Sequence, residues 1–324
     1  METSAVFPSA PARRGLYESF YLRASSPAQP LGVWIRYTVH KRDGAAPRGS
    51  LWCTLFDARR PRPFQHKHTT ARLSVPDGGW IAIDQAVLGP GGADGACGPA
   101  SWSLRFTRQQ GELRHLRPDW LYRAPLPRTK LTSPAPLARV SGSFQLAGEG
   151  AIELDQWPGM IGHNWGSEHA ERWIWLHGAG FAEAPEAWLD VGLGRIRIAG
   201  RMSPWVANGA LALDGRRHRL GGPGARGLHV AERPGGASIH LPGARGVALA
   251  AEIGAPSALT AGWRYADPDG GEHDVLNCSL AAVDLTLSLP GSAPRRLTSD
   301  HGGAYELGMR ERDHGVPIAP FGDG

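Results

Sequence analysis

The chain has 324 residues, of which 41% are hydrophobic, so it can bury a sizeable core and has room for one or two domains of about 150 residues. Its formal net charge is +5, but only three of its 35 basic residues are lysines, and the arginines are scattered between apolar segments. A surface that follows nucleic-acid phosphates needs clustered positive charge, so we expect no nucleic-acid partner.

The cysteines and the hydrophobic segments indicate the compartment. Cys53, Cys97 and Cys278 are odd in number and widely spaced, which predicts free thiols in a reducing environment. Residues 1–15 lack the apolar core of a signal peptide, and no segment approaches the roughly 20 apolar residues of a membrane helix. We therefore expect a cytoplasmic protein, and we leave open a peripheral contact with a membrane.

Short segments rich in β-branched and aromatic residues follow one another along the chain. In the first half they are 33–39, 50–56, 71–75, 80–87, 101–107, 140–146, 151–154 and 173–181. In the second half they are 187–199, 209–213, 227–231, 237–241, 247–253, 259–266, 275–289 and 303–309. Turn residues such as those of Pro76–Gly79 separate them, and no stretch of about 12 residues has helical periodicity. The sequence predicts an all-β fold.

The number of predicted strands exceeds what one small barrel needs, so we predict two β domains, each a sandwich or a barrel. A proline and a change in polarity mark the segment Glu183–Glu186. We place the boundary there, which gives an N-terminal domain of residues 1–183 and a C-terminal domain of residues 184–324.

One segment, residues 155–178, holds four of the 12 tryptophans and three of the 13 histidines. Side chains of a strand alternate between its two faces, so Trp173, Trp175 and His177 are expected on one face. Two indoles and an imidazole on one wall are typical of an apolar pocket with a polar end. Packing of the same residues in an ordinary core is the alternative.

The same alternation applies to the residues that precede this strand. If residues 162–166 are extended, His163 and Trp165 face one way and Asn164 faces the other. Asn164 is then a candidate to hold a water molecule or a ligand hydroxyl. A tight turn satisfied by its side chain is the structural alternative.

These motifs resemble a lipocalin-like superfamily that includes tocopherol cyclases and carotenoid 1,2-hydratases. The resemblance rests on His163–Gly166 followed after six residues by Trp173–Trp175, with Glu18–Tyr21, Trp34–Thr38 and Gly142–Phe144 ahead of them. It covers most of the chain, but its specific part spans about 25 residues. The family implies two lipocalin-like β-barrel or sandwich domains in tandem.

The resemblance also implies a reaction class, acid-catalysed addition to a carbon–carbon double bond of a hydrophobic isoprenoid, as in carotenoid biosynthesis. Water capture of the cation makes the enzyme a hydratase (a hydro-lyase), and capture by an internal hydroxyl makes it a cyclase. No metal and no cofactor are needed. The chain departs from tocopherol cyclases at His169 and His177, so no substrate is implied.

Such chemistry needs a carboxylic acid that stays protonated and aromatic rings that stabilise a cation. Glu168 is the first candidate acid, with Asp155 as the next, and His163 and His169 would orient water or relay protons. The residues expected to contact the substrate are Glu18, Asn164, Trp165, Trp173, Trp175 and His177.

Two other functions stay open. A zinc enzyme would use His66 and His68, which share a strand face, together with histidines of residues 163–177. A non-catalytic carrier of a lipid or isoprenoid would use the same apolar pocket. A carboxylic acid that points into the pocket would favour the enzyme over the carrier.

Overall fold

The computed structural model describes residues 3–198, 200–222 and 225–321, and it is built almost entirely of β-strands, which confirms the predicted fold class. The strands of the first half are β1 Leu16–Ser25, β2 Leu31–Lys41, β3 Arg48–Asp57, β4 Phe64–Thr70, β5 Leu73–Ser74, β6 Ile81–Ile83, β7 Ala86–Gly89, β8 Gly92–Cys97, β9 Ala100–Arg108, β10 Leu113–Arg114, β11 Thr129–Leu146 and β12 Ile152–Gly166.

The strands of the second half are β13 Arg172–Ala179, β14 Trp188–Arg195, β15 Arg197–Ile198, β16 Arg201–Met202, β17 Val206–Leu213, β18 Arg216–Gly221, β19 His229–Arg233, β20 Gly236–Pro242, β21 Ala248–Gly254, β22 Ala261–Ala266, β23 Glu272–Ser288 and β24 Arg295–Met309. Short 3-10 turns span Phe7–Ser9, Asp119–Tyr122, Ala244–Gly246 and Ser257–Leu259.

The strands form two large antiparallel sheets that correspond to two tandem lipocalin-like domains. The first is a nearly closed barrel with the order β4-β3-β2-β1-β12-β11-β9-β8-β7-β6-β5, and β10 pairs with β11. The second is a half-barrel with the order β18-β17-β14-β13-β24-β23-β21-β20-β19, and β22 pairs with β23. Nearly every strand therefore pairs with a neighbour close in sequence, as turn-rich β sequences predict.

Each sheet encloses its own hydrophobic core. Strand β9 is an example: its side chains are alternately buried and exposed along Ala100–Phe106, as expected for a strand with one face toward a core. Fully buried residues of the first core include Ile35 and Phe144, and those of the second include Leu211 and Leu285.

Large aromatic side chains join the two sheets. Trp34 and Trp52 of the first sheet pack in one buried cluster with Trp263 and Tyr265 of the second. The ring of Trp52 meets those of Trp263 and Tyr265 edge-on, with centroids 5.1 and 5.4 Å apart. Edge contacts of this kind are favourable, so the interface is held by ring packing as well as by apolar burial.

The chain passes from the first sheet to the second between Gly166 and Arg172. The tryptophan-rich strand β13 therefore lies in the second sheet, although the predicted boundary at residue 183 assigned it to the N-terminal domain. The position of the boundary stays a prediction, and residues 167–171 are where hydrogen bonding changes sheets.

Cys53, Cys97 and Cys278 are buried free thiols, as their spacing predicts. Within the described ranges, no helix is long and apolar enough to span a membrane.

Candidate functional site

A cavity of about 840 Å³ lies between the two sheets. Its wall takes residues from both sheets and combines aromatic rings with aliphatic side chains. The indole and phenol rings are those of Tyr21, Trp34, Trp173, Trp175 and Tyr265, and the aliphatic side chains include Leu131, Ile174 and Leu193. A volume of this size is typical of a site for a small organic molecule. Because most of the wall is apolar, the space suits an apolar ligand.

The predicted alternation around Asn164 is present, but the asparagine face is the one that meets the cavity. Asn164 is on the cavity wall, and its buried Oδ1 has no hydrogen-bond partner among the described residues. His163 and Trp165 point the other way, stacked on each other with centroids 4.5 Å apart. Neither belongs to the cavity wall. The amide of Asn164 thus reaches the cavity wall, while its Oδ1 is enclosed by the protein.

Glu18 and His163 form a buried pair outside the cavity wall. The His163 Nε2–H donates to Glu18 Oε1 at 2.7 Å, and the other contacts of the Glu18 carboxylate are the backbone N–H groups of Val6 and Phe7. Phe20 stacks on the imidazole at 3.9 Å. This arrangement anchors the N-terminal segment to β1, and it gives no geometric support to the predicted contact of either residue with a substrate.

The two acids predicted to donate a proton lie at different places. Glu168 is on the cavity wall, but its side chain is 29% exposed and forms an ion pair with Arg128, which is 60% exposed. The pair thus marks the rim of the cavity. Asp155 is exposed and lies outside the cavity wall, so its predicted catalytic role has no support from its position.

Trp173 and Trp175 lie on the cavity wall, and each indole donates to a carboxylate. Trp173 Nε1 donates to Glu306 Oε1 at 3.1 Å, and Trp175 Nε1 donates to Asp190 Oδ1 at 3.1 Å. A negative charge at an indole N–H, such as that of Asp190 at Trp175, raises the electron density of the ring, which strengthens its attraction for a cation.

Two glycines make room for the aromatic rings of the wall. A Cβ on Gly308 would lie 2.1 Å from Cζ2 of Trp173, its cross-strand neighbour. A Cβ on Gly162 would lie 2.1 Å from Cζ of Tyr21, again the cross-strand neighbour. Each ring therefore lies flat over a glycine of the adjacent strand, which fixes its position.

Glu306 of β24 is a half-buried carboxyl group on the cavity wall. Besides Trp173, it has two donors on its other oxygen: the Tyr265 hydroxyl at 3.3 Å and Asn277 Nδ2 at 3.1 Å from Oε2. A carboxyl oxygen has two lone-pair positions, so Oε2 is fully used and Oε1 keeps one position free.

Asp190 lies in a buried polar network behind Trp175. Ser133 donates to Asp190 Oδ2, and His115 Nε2 lies 3.4 Å from the same oxygen. Burial alone would raise the pKa of Asp190, but the neighbouring His115 and the Ser133 hydroxyl hold that pKa below its ordinary value. Asp190 is thus a carboxylate at neutral pH.

His169 also lies on the cavity wall and is oriented by an aspartate. Its Nδ1–H donates to Asp267 Oδ1 at 2.7 Å, its backbone N–H donates to the same oxygen at 2.8 Å, and Tyr17 stacks on the ring at 3.9 Å. His273 Nδ1 lies 3.5 Å from Asp267 Oδ2. Burial, with His169 nearby, lowers the pKa of His273 to about 4.

His169, Asp267 and His273 are the group among the described residues that could hold a metal ion. The predicted zinc pair does not join them: His68 contacts Asp84, and the ring of His66 packs against Phe321. A guanidinium nitrogen of Arg310 lies 3.8 Å from Asp267 Oδ2 and would compete with a cation there.

His177 shares the face of Trp175, as predicted, but it lies outside the cavity wall. Its Nδ1 accepts from Arg23 at 2.9 Å, and its Nε2–H donates to the Pro136 carbonyl at 2.9 Å. Both ring nitrogens are engaged within the protein, which indicates a structural histidine.

No sequence motif indicated a role for four cavity residues that carry polar chemistry: Tyr21, Arg36, Tyr265 and Glu306. Tyr21 and Arg36 belong to the motifs that resemble the family, Arg36 also lies in a predicted strand, and Glu306 lies in a predicted strand without any motif. The Tyr21 hydroxyl forms no hydrogen bond with another described residue. Burial, then Asp190 and Glu306, raises its pKa well above the ordinary value, so it stays a hydrogen-bond donor.

No protein-family model matches the chain. Two curated relatives, the uncharacterized proteins MT0513 and Rv0493c from two strains of Mycobacterium tuberculosis, are 25% identical over 175 residues, or 54% of this chain and 52% of each relative. The chain thus spans about half the length of the curated relatives it matches.

Two solved structures are similar over nearly the whole chain. A candidate AttH protein from Nitrosomonas europaea has a TM-score of 0.59 and 14% identity, covering 94% of this chain and 96% of its own. Kievitone hydratase from Nectria haematococca has a TM-score of 0.53 and 10% identity, covering 93% and 91%. At these identities the likeness concerns the fold, and the chain shares the tandem lipocalin-like fold of these two structures.

Proposed function

We propose that the protein protonates a carbon–carbon double bond of a hydrophobic ligand in the cavity and lets water or an internal hydroxyl capture the cation. The observation that carries this proposal is the carboxyl group of Glu306 beside the indole of Trp173 on a mostly apolar cavity wall. An acid in an apolar, aromatic site is what alkene protonation needs.

The proton balance follows from the hydrogen bonds of Glu306. Among the described residues, Trp173 is the one donor to Oε1, so this oxygen can carry the transferable proton on its second lone-pair position. That proton passes to one alkene carbon, the π electrons form the new C–H bond, and the other carbon becomes a cation. Water attacks the cation and returns a proton to the Glu306 carboxylate, so the net change is addition of water.

Two indoles stabilise the cation. Trp173 and Trp175 both face the cavity. Trp175 is polarised by the Asp190 carboxylate at its N–H, and Trp173 by Glu306 once that carboxyl group has given up its proton. Each ring is worth about 1–2 kcal/mol to a desolvated cation. The charge on Asp190 adds a long-range attraction from behind Trp175.

The nucleophilic water needs partners that orient it. The Asn164 amide and the Tyr21 hydroxyl are polar groups on the same cavity wall. A water that forms hydrogen bonds with both groups is held in place beside the cation. In a cyclisation, the ligand hydroxyl would take the place of this water.

Two further observations support the proposal. Kievitone hydratase, which shares the fold, is by its name a hydratase. The sequence motifs resemble families that add water or a hydroxyl to isoprenoid double bonds. His169, held by Asp267 on the cavity wall, would relay protons. Glu168 remains a second candidate acid at the rim.

The test is incubation of the protein in D₂O with a panel of prenylated phenols and acyclic isoprenoid alkenes, followed by mass spectrometry. Hydration and cyclisation both place one deuterium on carbon, and only hydration adds the mass of water. We expect Glu306→Gln to lower the rate by about 10²–10⁴-fold with ligand binding retained.

Glu168→Gln is the matched control, because it removes a second acid of the cavity wall, the one at the rim. Full activity in Glu306→Gln together with loss in Glu168→Gln would transfer the role to Glu168. Tight binding of the panel with no deuterium on any product would favour the non-catalytic carrier and refute the enzyme.

A further inference from the structure

Arg36 brings a positive charge into the cavity with no carboxylate beside it. It lies in β2 opposite Tyr21 of β1, is 4% exposed, and forms part of the cavity wall. Its Nε and Nη2 both donate to Ser19 Oγ, at 3.0 and 2.6 Å. Within the described ranges, Arg36 forms no ion pair. A buried charge is costly unless it is paired, so this guanidinium needs an explanation.

The hydrogen bonds of Arg36 use only one edge of the guanidinium. Ser19 occupies the Nε–Nη2 edge, and the Nη1–Nη2 edge has no acceptor from any residue that the structure describes. The Tyr265 ring lies 3.9 Å and the Trp52 ring 5.6 Å from Cζ, so rings stabilise the charge without accepting these N–H groups. Nη1 is not among the enclosed unpaired atoms, so the free edge opens onto the cavity.

Arg23 shows how this fold satisfies a buried guanidinium that binds no ligand. Its Nη1 donates to His177 Nδ1 and to the Gly302 carbonyl, at 2.9 and 3.0 Å. Its Nη2 donates to the Ser279 carbonyl at 2.9 Å. The protein thus supplies acceptors to both terminal nitrogens of Arg23, and it supplies none to the outer edge of Arg36.

We propose that the ligand carries a carboxylate head group that binds the free edge of Arg36 through two parallel N–H···O bonds. The planar fork of an arginine edge matches the two oxygens of a carboxylate. The apolar wall then encloses the hydrocarbon part, so the substrate class is an unsaturated hydrophobic carboxylic acid.

This inference rests on the proposed function for the alkene, and it removes an electrostatic difficulty from it. An unpaired Arg36 would repel a carbocation formed in the same cavity. A carboxylate on the ligand neutralises Arg36 before the cation forms. The substrate would thereby supply the partner charge that Arg36 lacks before Glu306 gives up its proton.

The test compares the binding of cis-parinaric acid, a fluorescent polyene carboxylate, with that of its methyl ester. We expect the wild-type protein to bind the acid about tenfold more tightly than the ester, as for a charge-assisted pair. Arg36→Met should bind both probes equally. Arg128→Met is the matched control, because it removes a different arginine of the cavity wall and should keep the preference for the acid.

Arg36→Lys keeps the charge and loses the fork, so we expect it to fold and to show a reduced preference. If Arg36→Met does not fold, the ratio of the affinities for acid and ester is compared between the wild-type protein and Arg36→Lys, and this comparison tests the head-group proposal. Equal binding of acid and ester by the wild-type protein would overturn the head-group proposal. A preference for the acid that disappears in Arg128→Met but persists in Arg36→Met would overturn it as well. The deuterium experiment with neutral alkenes is independent of these ratios, so the proposed function can stand while the head-group proposal fails.

Discussion

His177→Gln tests whether the inter-sheet contact of Arg23 depends on a neutral histidine. Glutamine can reproduce both hydrogen bonds of the imidazole: Oε1 can accept from Arg23, and Nε2 can donate to the Pro136 carbonyl. The substitution therefore removes a titratable group from the interface and leaves its pattern of donor and acceptor in place.

The magnitude follows from the pKa of His177. Burial, and then the charge of Arg23, lowers this pKa from 6.5 to about 4. Below pH 6.5 this histidine binds a proton in the unfolded chain but not in the folded protein. The free energy of unfolding therefore falls as the pH falls toward 4. The full effect is about 3 kcal/mol, and about 2 kcal/mol of it is lost between pH 7.5 and pH 5.

The measurement is urea-induced unfolding at pH 7.5 and pH 5 for the wild-type protein, for His177→Gln and for His229→Gln. His229 is exposed, so its replacement should leave the pH dependence unchanged. We expect the wild-type protein to lose about 2 kcal/mol more than His177→Gln over this range. If the wild-type protein and His177→Gln lose the same free energy of unfolding over this range, His177 titrates normally and the idea that it contacts Arg23 as a neutral imidazole is refuted.

Two further substitutions test the positions of the site residues. Gly308→Ala puts a methyl group into the space of the Trp173 ring, so we expect the free energy of unfolding to fall by about 1–3 kcal/mol and the tryptophan fluorescence to change. Gly91→Ala is the control, because a Cβ there has no atom within 4 Å and should change neither quantity. Asp267→Asn removes the charge that holds His169, and we expect a loss of about 1–3 kcal/mol in unfolding experiments; an unchanged stability would argue against the buried pair.

The sequence predicted much of the secondary structure because the relevant signals are local. Alternating apolar residues and turn residues indicated an all-β chain, and the same period of two correctly placed Asn164 on the face opposite His163 and Trp165. It also placed Trp173 and Trp175 on one face, and both lie on the cavity wall. These inferences need only the geometry of a single strand.

The identity of the face that meets the cavity could not be read in this way. His163 carries the polar chemistry that usually marks a site, yet it is engaged by Glu18 beneath the N-terminal segment. Asn164 is the residue that meets the ligand space. Which of two faces becomes a cavity wall depends on the second sheet, and no local pattern contains that information.

The sequence by itself determined that this protein is a chain of short antiparallel strands with a concentrated group of indoles, because strand periodicity and turn chemistry act between near neighbours. Only the tertiary structure decided that Arg36 and Glu306, which are far apart in the chain, lie on the wall of one cavity. The physical reason is that the cavity forms between two sheets, and the packing of one sheet on another is set by contacts between residues far apart in sequence.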